Sequence, residues 1–143
     1  MSLDDASWHL GAPSFPPSLP TQAGATHIGM FVAWAAFNNY LSEEMEDDLA
    51  EELAHLRQKN ITPGAFVWKF MDGKFSEFDL NSEGADFAKD FYKEGSAGYF
   101  SAYEGLTRSK GYSEYGMPDD WVTYQAVAAV IDLRHRDWKS GLQ

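Results

Sequence analysis

A long uncharged span constrains the fold more than any other feature of this sequence. No Lys, Arg, Asp or Glu occurs from Ala6 to Ser42. Within this span, residues 26–41 place their large side chains on one helical stripe, at the i, i+3, i+4, i+7 spacing. A helix that offers no charge to water has to be covered by the rest of the chain. We therefore expect the other helices to pack around this one.

The remaining patterns also indicate helices. Apolar periodicity predicts helices over 43–59, 63–71, 82–94, 99–106 and 120–138. The last of these has two apolar stripes, so we expect it either to be central or to form an interface, and in either case to pack on the helix at 26–41. Residues 74–80 favour either a brief strand or a turn.

The N-terminal segment differs from the rest. Four of the six prolines lie in residues 1–23, and proline lacks the amide donor of a regular helix. We therefore predict an extended proline-rich arm over residues 1–23, packed on the body. The fold class is predicted as all-α: a single compact domain, residues 1–143, of about five to six helices.

Charge and composition limit the classes of partner. The net charge of −11 disfavours nucleic acid and anionic membranes, because phosphate binding requires clustered Lys and Arg. It favours a partner with a basic surface. The chain has no cysteine, which excludes disulfides and thiolate catalysis. It shows no secretory signal at its start, and its apolar run is far shorter than the roughly 20 residues that a bilayer requires, so a cytoplasmic location is expected.

The acidic residues are densest in the helix predicted at 43–59. We predict that this face and two loop tyrosines contact the partner, electrostatics steering association and the aromatic rings anchoring it. A solvated face with no partner is the alternative. The predicted partner-binding residues are Glu43, Glu44, Asp47, Asp48, Glu51, Tyr112 and Tyr115.

The histidines offer a different kind of site. Asp4, Asp5, His9 and His27 combine carboxylate and imidazole ligands, but their spacing matches no recognised metal signature. We therefore predict no metal and no cofactor, and we expect a buried His27 bonded to a backbone carbonyl or to an arm residue. No sequence motif names a reaction, and no catalytic residue is assigned. The alternative is a small enzyme or ligand-binding protein whose site, between the arm and the first helix, is lined by Trp8, His9, His27 and Trp34.

Several segments resemble a family of small uncharacterised bacterial domains. They are Asp4-Asp5-Ala6-Ser7-Trp8-His9, Pro17-x-x-Pro20, Ala25-Thr26-His27-Ile28-Gly29-Met30-Phe31-x-Ala33-Trp34, Asp79-Leu80-Asn81-Ser82-Glu83-Gly84-x-x-Phe87-Ala88, Trp121-x-x-Tyr124 and Arg134-x-x-x-Trp138. The resemblance covers nearly the whole chain and implies no established activity. By size and charge, small acidic members of such a family are similar to immunity proteins that accompany bacterial toxins.

Together these observations predict an acidic, cytosolic protein-binding domain. An immunity protein that neutralises a cognate basic toxin is the form of this function that the resemblance suggests. A homodimer through the last helix is a further expectation.

Overall fold

The computed structural model describes residues 2–10, 15, 18–93, 95–113 and 115–141, and this part of the chain is mostly helical. Within it, two short 3-10 helices occupy Thr21–Ala25 and Glu77–Asp79, and there are two strands, β1 (Ser2–Asp5) and β2 (Lys74–Ser76). The α-helices of the described residues are α1 (Ala6–Leu10), α2 (Thr26–Phe37), α3 (Glu43–Asp48), α4 (Ala50–Arg57), α5 (Pro63–Phe70), α6 (Ser82–Phe91), α7 (Tyr99–Ser109) and α8 (Trp121–Lys139).

Helix α2 lies at the centre of the hydrophobic core, as its lack of charge predicts. Every residue from Thr26 to Ala36 is buried. Helix α5 approaches so closely that a Cβ atom at Gly29 would lie 2.2 Å from the carbonyl oxygen of Pro63. Helix α8 also packs on α2, where the Trp34 Nε1 donates a hydrogen bond to Asp132 Oδ1 at 2.8 Å. The enclosure of α2 and its packing against α8 are both confirmed.

Two helices end earlier than the apolar pattern suggests. Helix α2 ends at Phe37, because the Asn38 side-chain amide donates to the carbonyl of Trp34 and Asn39 adopts a left-handed φ of 60°. The helix expected over residues 43–59 is divided at Leu49, whose backbone leaves the helical region, into α3 and α4.

The all-α prediction is corrected by a two-stranded sheet. Strands β1 and β2 pair antiparallel, with Asp4 opposite Phe75 and Asp5 opposite Lys74. The register shifts between Ser2 and Asp4, so β1 carries one extra residue in the manner of a β-bulge. Of the two possibilities predicted for residues 74–80, the brief strand is confirmed at Lys74–Ser76, whereas its pairing with the distant β1 leaves no mark in the local sequence.

The prediction of an extended arm over residues 1–23 is also corrected, because residues 2–10 form strand β1 and helix α1, and residues 21–23 belong to a 3-10 helix. Residues Ser2–Asp5 are extended but belong to the sheet, and Ala6–Leu10 form helix α1. Asp5 starts that helix by accepting hydrogen bonds from the backbone N–H and the hydroxyl of Ser7. Of the four prolines of the predicted arm, Pro20 has an extended backbone. The other three, at positions 13, 16 and 17, lie outside the described residues.

Helix α5 is held by a residue from the start of α8. The Asp119 carboxylate accepts hydrogen bonds from the backbone N–H groups of Gly64 and Ala65, at 2.7 and 3.0 Å, and from the Thr62 hydroxyl at 2.6 Å. Asp120, the next residue, caps α8 itself. The adjacent acids Asp119 and Asp120 thus cap the N-terminal ends of α5 and α8, two helices that are distant in sequence.

Helix α8 exposes two residues of its second apolar stripe, Val122 and Leu133. Ile131, on the opposite side of the helix, is buried. Self-association through this face therefore remains a prediction. Among the described residues, none of the helices has both the length and the apolar character needed to cross a membrane.

Candidate functional site

A carboxylate and two imidazoles meet where the N-terminal segment lies on α2. The His9 Nε2 lies 2.7 Å from Asp4 Oδ1, and the His27 Nε2 lies 2.8 Å from Asp4 Oδ2. The two imidazole rings pack edge to face, with their centroids 4.4 Å apart. One oxygen or nitrogen atom from each residue lies within 4.8 Å of the other two. Three potential metal ligands thus converge.

Three different elements bring these residues together. Asp4 lies in β1 directly after the register shift, His9 lies in α1, and His27 lies in the first turn of α2. Bulges commonly redirect a side chain next to a functional site, and here Asp4 is only 4% exposed although it carries a charge. The pairing of β1 with β2 therefore decides where the carboxylate lies.

Two tyrosines complete the group, which we name the Asp4 cluster: Asp4, His9, His27, Tyr92 and Tyr115. The Tyr115 hydroxyl lies 2.8 Å from His9 Nδ1, and the Tyr92 hydroxyl donates a short hydrogen bond to Asp4 Oδ2. The backbone N–H of Asp5 donates a further bond to Asp4 Oδ1, so Asp4 has four hydrogen-bonding partners.

The electrostatics of the cluster favour an ionised carboxylate. Burial alone would raise the pKa of Asp4, but the hydrogen bonds and charges of His27 and His9 outweigh burial and hold that pKa well below its usual range. For Tyr92, burial, with the negative charge of Asp4, raises the pKa well above its ordinary value. Tyr92 therefore remains a protonated donor at neutral pH.

One wall of the cluster faces a cavity of about 670 Å³, which we call the α1–α7 cavity. The cavity lies between β1, α1 and α7. Aromatic side chains from two of these helices, two serines, a lysine and a second acid, Glu104, also line it. The lining residues used below are Asp4, Trp8, His9, Lys93, Phe100 and Ser101. Trp8 is 56% exposed, and the ring of Phe100 packs on both imidazoles. The cavity combines aromatic surface with a charged wall.

The geometry also bears on what chemistry the cluster can perform. Both ring nitrogens of His9 have partners, Asp4 and Tyr115, and both oxygens of Asp4 are occupied. A general base needs a nitrogen or oxygen within hydrogen-bond reach of the substrate. In this arrangement His9 or Asp4 would have to exchange one of these hydrogen bonds before it could contact a ligand.

The structure brings together three of the four residues of the alternative site. His9 and His27 belong to the Asp4 cluster, and Trp8 lines the cavity beside it. His27 bonds a residue of the predicted arm, Asp4, as one of the sequence interpretations expects. Trp34 is buried elsewhere, packed on Tyr40, Phe87 and His135. Tyr92 and Phe100 were not predicted, because nothing in their local sequence distinguishes them from other core aromatic residues.

Six of the seven predicted partner-binding residues are exposed and one is buried. All five acids, Glu43, Glu44, Asp47, Asp48 and Glu51, are exposed on α3 and α4. Tyr112 is exposed, but Tyr115 is buried against His9 and cannot present its ring to another protein. A loop sequence does not reveal which of its tyrosines turns inward.

A second hydrogen-bonded group links α6 to α8. The Tyr40 hydroxyl donates to Glu83 Oε2 at 2.5 Å and lies 2.7 Å from His135 Nε2. Burial, helped by the positive charge of Lys139, lowers the pKa of His135. The His135 ring packs on Trp34 and Phe87. These contacts are those of a structural link between helices.

Comparisons with known proteins place the chain without assigning an activity. No match was found among curated proteins or among solved structures. Residues 2–117, which include every member of the Asp4 cluster, match a family model described as a domain of unknown function, DUF7832. The chain belongs to this family of domains of unknown function.

Proposed function

We propose that this protein binds a small molecule in the α1–α7 cavity, with the Asp4 cluster as its polar anchor. The observation that carries the proposal is the convergence of Asp4 and His9 on one wall of a cavity of about 670 Å³. Ligand sites are typically concave, of about 300–1,000 Å³, with aromatic walls and a few placed polar groups. This cavity has both features.

The lining indicates the class of ligand. Trp8 and Phe100 offer flat apolar surface, which suits a planar or aromatic group. Lys93, exposed at the cavity, offers a cation for an acidic substituent. A small planar molecule fits these contacts if its acidic group lies beside Lys93 and away from Glu104, which also lines the cavity.

A cavity-filling variant tests the proposal. We expect a library of planar acids, screened by ligand-observed NMR, to yield binders of the wild-type protein. Ser101→Trp should lose them, because the indole would occupy the α1–α7 cavity. Val122→Trp is the matched control, since Val122 is 79% exposed on α8 and does not line this cavity. Hits that bind Ser101→Trp as well as the wild type would reject the site, and so would a screen without hits.

A second function, binding of a basic protein such as a bacterial toxin, is favoured by a separate observation. The exposed acids Glu44 and Asp48 flank a cavity of about 460 Å³ that Phe70 also lines, so a basic side chain would find charge and apolar surface together. Within the described part of the chain, neither acid forms a salt bridge.

Charge reversal tests this second proposal. The wild-type protein should capture a specific basic partner from its native host at low salt, and less of it as salt screens the charges. Asp48→Lys should weaken capture, whereas Asp86→Lys, which reverses an exposed acid on α6, should not. Equal capture by both variants would show that the α3 surface is not involved.

A further inference from the structure

We infer that Asp4, His9 and His27 form a binding site for a divalent transition-metal ion such as Zn²⁺ or Fe²⁺. This inference deepens the proposed function and rests on it, because the ion would be the polar anchor for the acidic group of the ligand.

The first support is the donor set. Two imidazole nitrogens and one carboxylate, brought from three elements, lie within 4.8 Å of one another. Two histidines and one carboxylate with open positions are the ligands of non-haem Fe²⁺ sites, and a similar set holds catalytic Zn²⁺. Asp5, the fourth residue of the sequence-based group, is engaged in starting α1 and is not needed.

The second support is the spacing. Ligand atoms around a tetrahedral ion with bonds of about 2.0–2.1 Å are about 3.4 Å apart. The His9 Nε2 lies 2.7 Å from Asp4 Oδ1 and the His27 Nε2 lies 2.8 Å from Asp4 Oδ2, and a ligand atom from each of the three residues lies within 4.8 Å of the other two. An ion would therefore be accommodated if these atoms moved apart by about half an ångström.

The third support is the set of groups behind the ligands. A histidine ligand generally uses its second nitrogen to hydrogen-bond a neighbour that fixes the ring, and ligating carboxylates are hydrogen-bonded in turn. The Tyr115 hydroxyl occupies this position at His9 Nδ1, and Tyr92 does so at Asp4. Because a tyrosine hydroxyl can donate or accept, Tyr115 can serve either tautomer of His9. The Tyr99 hydroxyl, which donates to the backbone carbonyl of His27 at 2.6 Å, fixes the start of α2.

The fourth support is access. His9 has a side chain 15% exposed, and both His9 and Asp4 line the α1–α7 cavity. The positions that the three protein ligands leave open would face this cavity, where a ligand could complete the coordination. The alternative is a purely structural role, in which Asp4 only links two histidines and no ion enters.

Metal titration of the whole chain distinguishes these roles. The protein is first treated with a chelator and dialysed, and Co²⁺ and Zn²⁺ are then added separately. We expect one equivalent of Co²⁺ to give visible d–d absorption, and Zn²⁺ to displace it. Metal binding should release any protons that the metal displaces from the ligand atoms.

Variants locate the ion. His9→Ala removes a ligand and should weaken binding at least about 100-fold, since loss of a supporting residue alone costs 10–100-fold. Tyr115→Phe keeps every ligand and should weaken binding about 10–100-fold. His55→Ala is the matched control, because His55 is exposed on α4 outside the cluster, and it should bind as the wild type does. If His9→Ala fails to fold, the loss of metal affinity in Tyr115→Phe still locates the ion beside His9.

Two outcomes overturn the inference: no stoichiometric Co²⁺ or Zn²⁺ binding by the wild-type protein, or binding that neither His9→Ala nor Tyr115→Phe changes. The planar acids found by NMR are then tested with and without metal. Ligands that bind in the α1–α7 cavity of a protein that takes up no metal would reject this inference alone. Metal binding without any ligand would instead reject the small-molecule proposal and leave the metal site standing.

Discussion

Replacing Asp4 with alanine should destabilise the protein strongly. Asp4 is 4% exposed and accepts hydrogen bonds from Asp5, His9, His27 and Tyr92. Each hydrogen bond to a charged group contributes about 1.5–3 kcal/mol, but such contributions within one cluster do not add. Removing one partner of a buried charged pair typically costs about 3–5 kcal/mol, which we expect for Asp4→Ala. This is a large part of a total stability of about 5–15 kcal/mol.

Urea unfolding, followed by circular dichroism on protein freed of metal, measures this loss. With an m value of about 2 kcal/mol/M, the midpoint should fall by about 2 M. Asp4→Asn keeps the shape and part of the hydrogen bonding, so its loss should be smaller. The exposed Asp86→Ala should change the free energy of unfolding by less than about 0.5 kcal/mol.

The effect should also depend on pH, with a sign that follows from the pKa of Asp4. That pKa is lower in the folded protein than in the unfolded chain, where it is about 4. The stabilisation is therefore complete above about pH 4 and is lost as the pH falls through the folded-state pKa. The difference between the wild type and Asp4→Ala should shrink accordingly. A loss below about 1 kcal/mol at neutral pH, or a difference that grows as the pH falls below about 4, would refute this account of the cluster.

Three further predictions concern the scaffold. Gly29→Ala should cost about 1–3 kcal/mol or more in urea unfolding, because the added methyl would meet the backbone of Pro63; wild-type stability would contradict the close approach of α2 and α5. Asp119→Ala should cost about 2 kcal/mol in the same assay through loss of the α5 cap, and a neutral result would contradict that role. Self-association through Val122 and Leu133 predicts a dimer mass in light scattering that falls to the monomer mass in Leu133→Lys; a monomeric wild type would reject it.

The features predicted correctly are those that composition alone imposes. A span without charge has to be enclosed whatever surrounds it, so the burial of α2 follows from its residues. The division of the acidic helix at Leu49 cannot be predicted in this way, because it depends on backbone geometry that the apolar spacing leaves undetermined. A strand over residues 74–80 is one of the two possibilities that the sequence predicts, but its pairing with β1 does not follow from it, since β1 is too short to show a clear alternation.

The candidate site could be predicted only in part, for a geometrical reason. His27 and Trp34 share a helical stripe, which makes them look like neighbours in one site. Seven residues correspond to about 10 Å along a helix axis, so a site at the start of α2 does not extend to Trp34. The grouping of Trp8 with His9 is correct, because the segment that carries them does lie on α2. The prediction that Tyr115 is at the surface is wrong, because a loop has no periodicity from which burial can be inferred.

The Asp4 cluster can stabilise the fold and bind an ion at the same time, so loss of stability in Asp4→Ala cannot separate these roles. Tyr115→Phe can. It removes one hydroxyl from the cluster, and the loss of a single hydrogen bond costs about 1 kcal/mol of stability. If the cluster is only structural, this is the whole effect. If His9 holds an ion, the same change frees the imidazole to turn, and metal affinity falls about 10–100-fold while the protein stays folded.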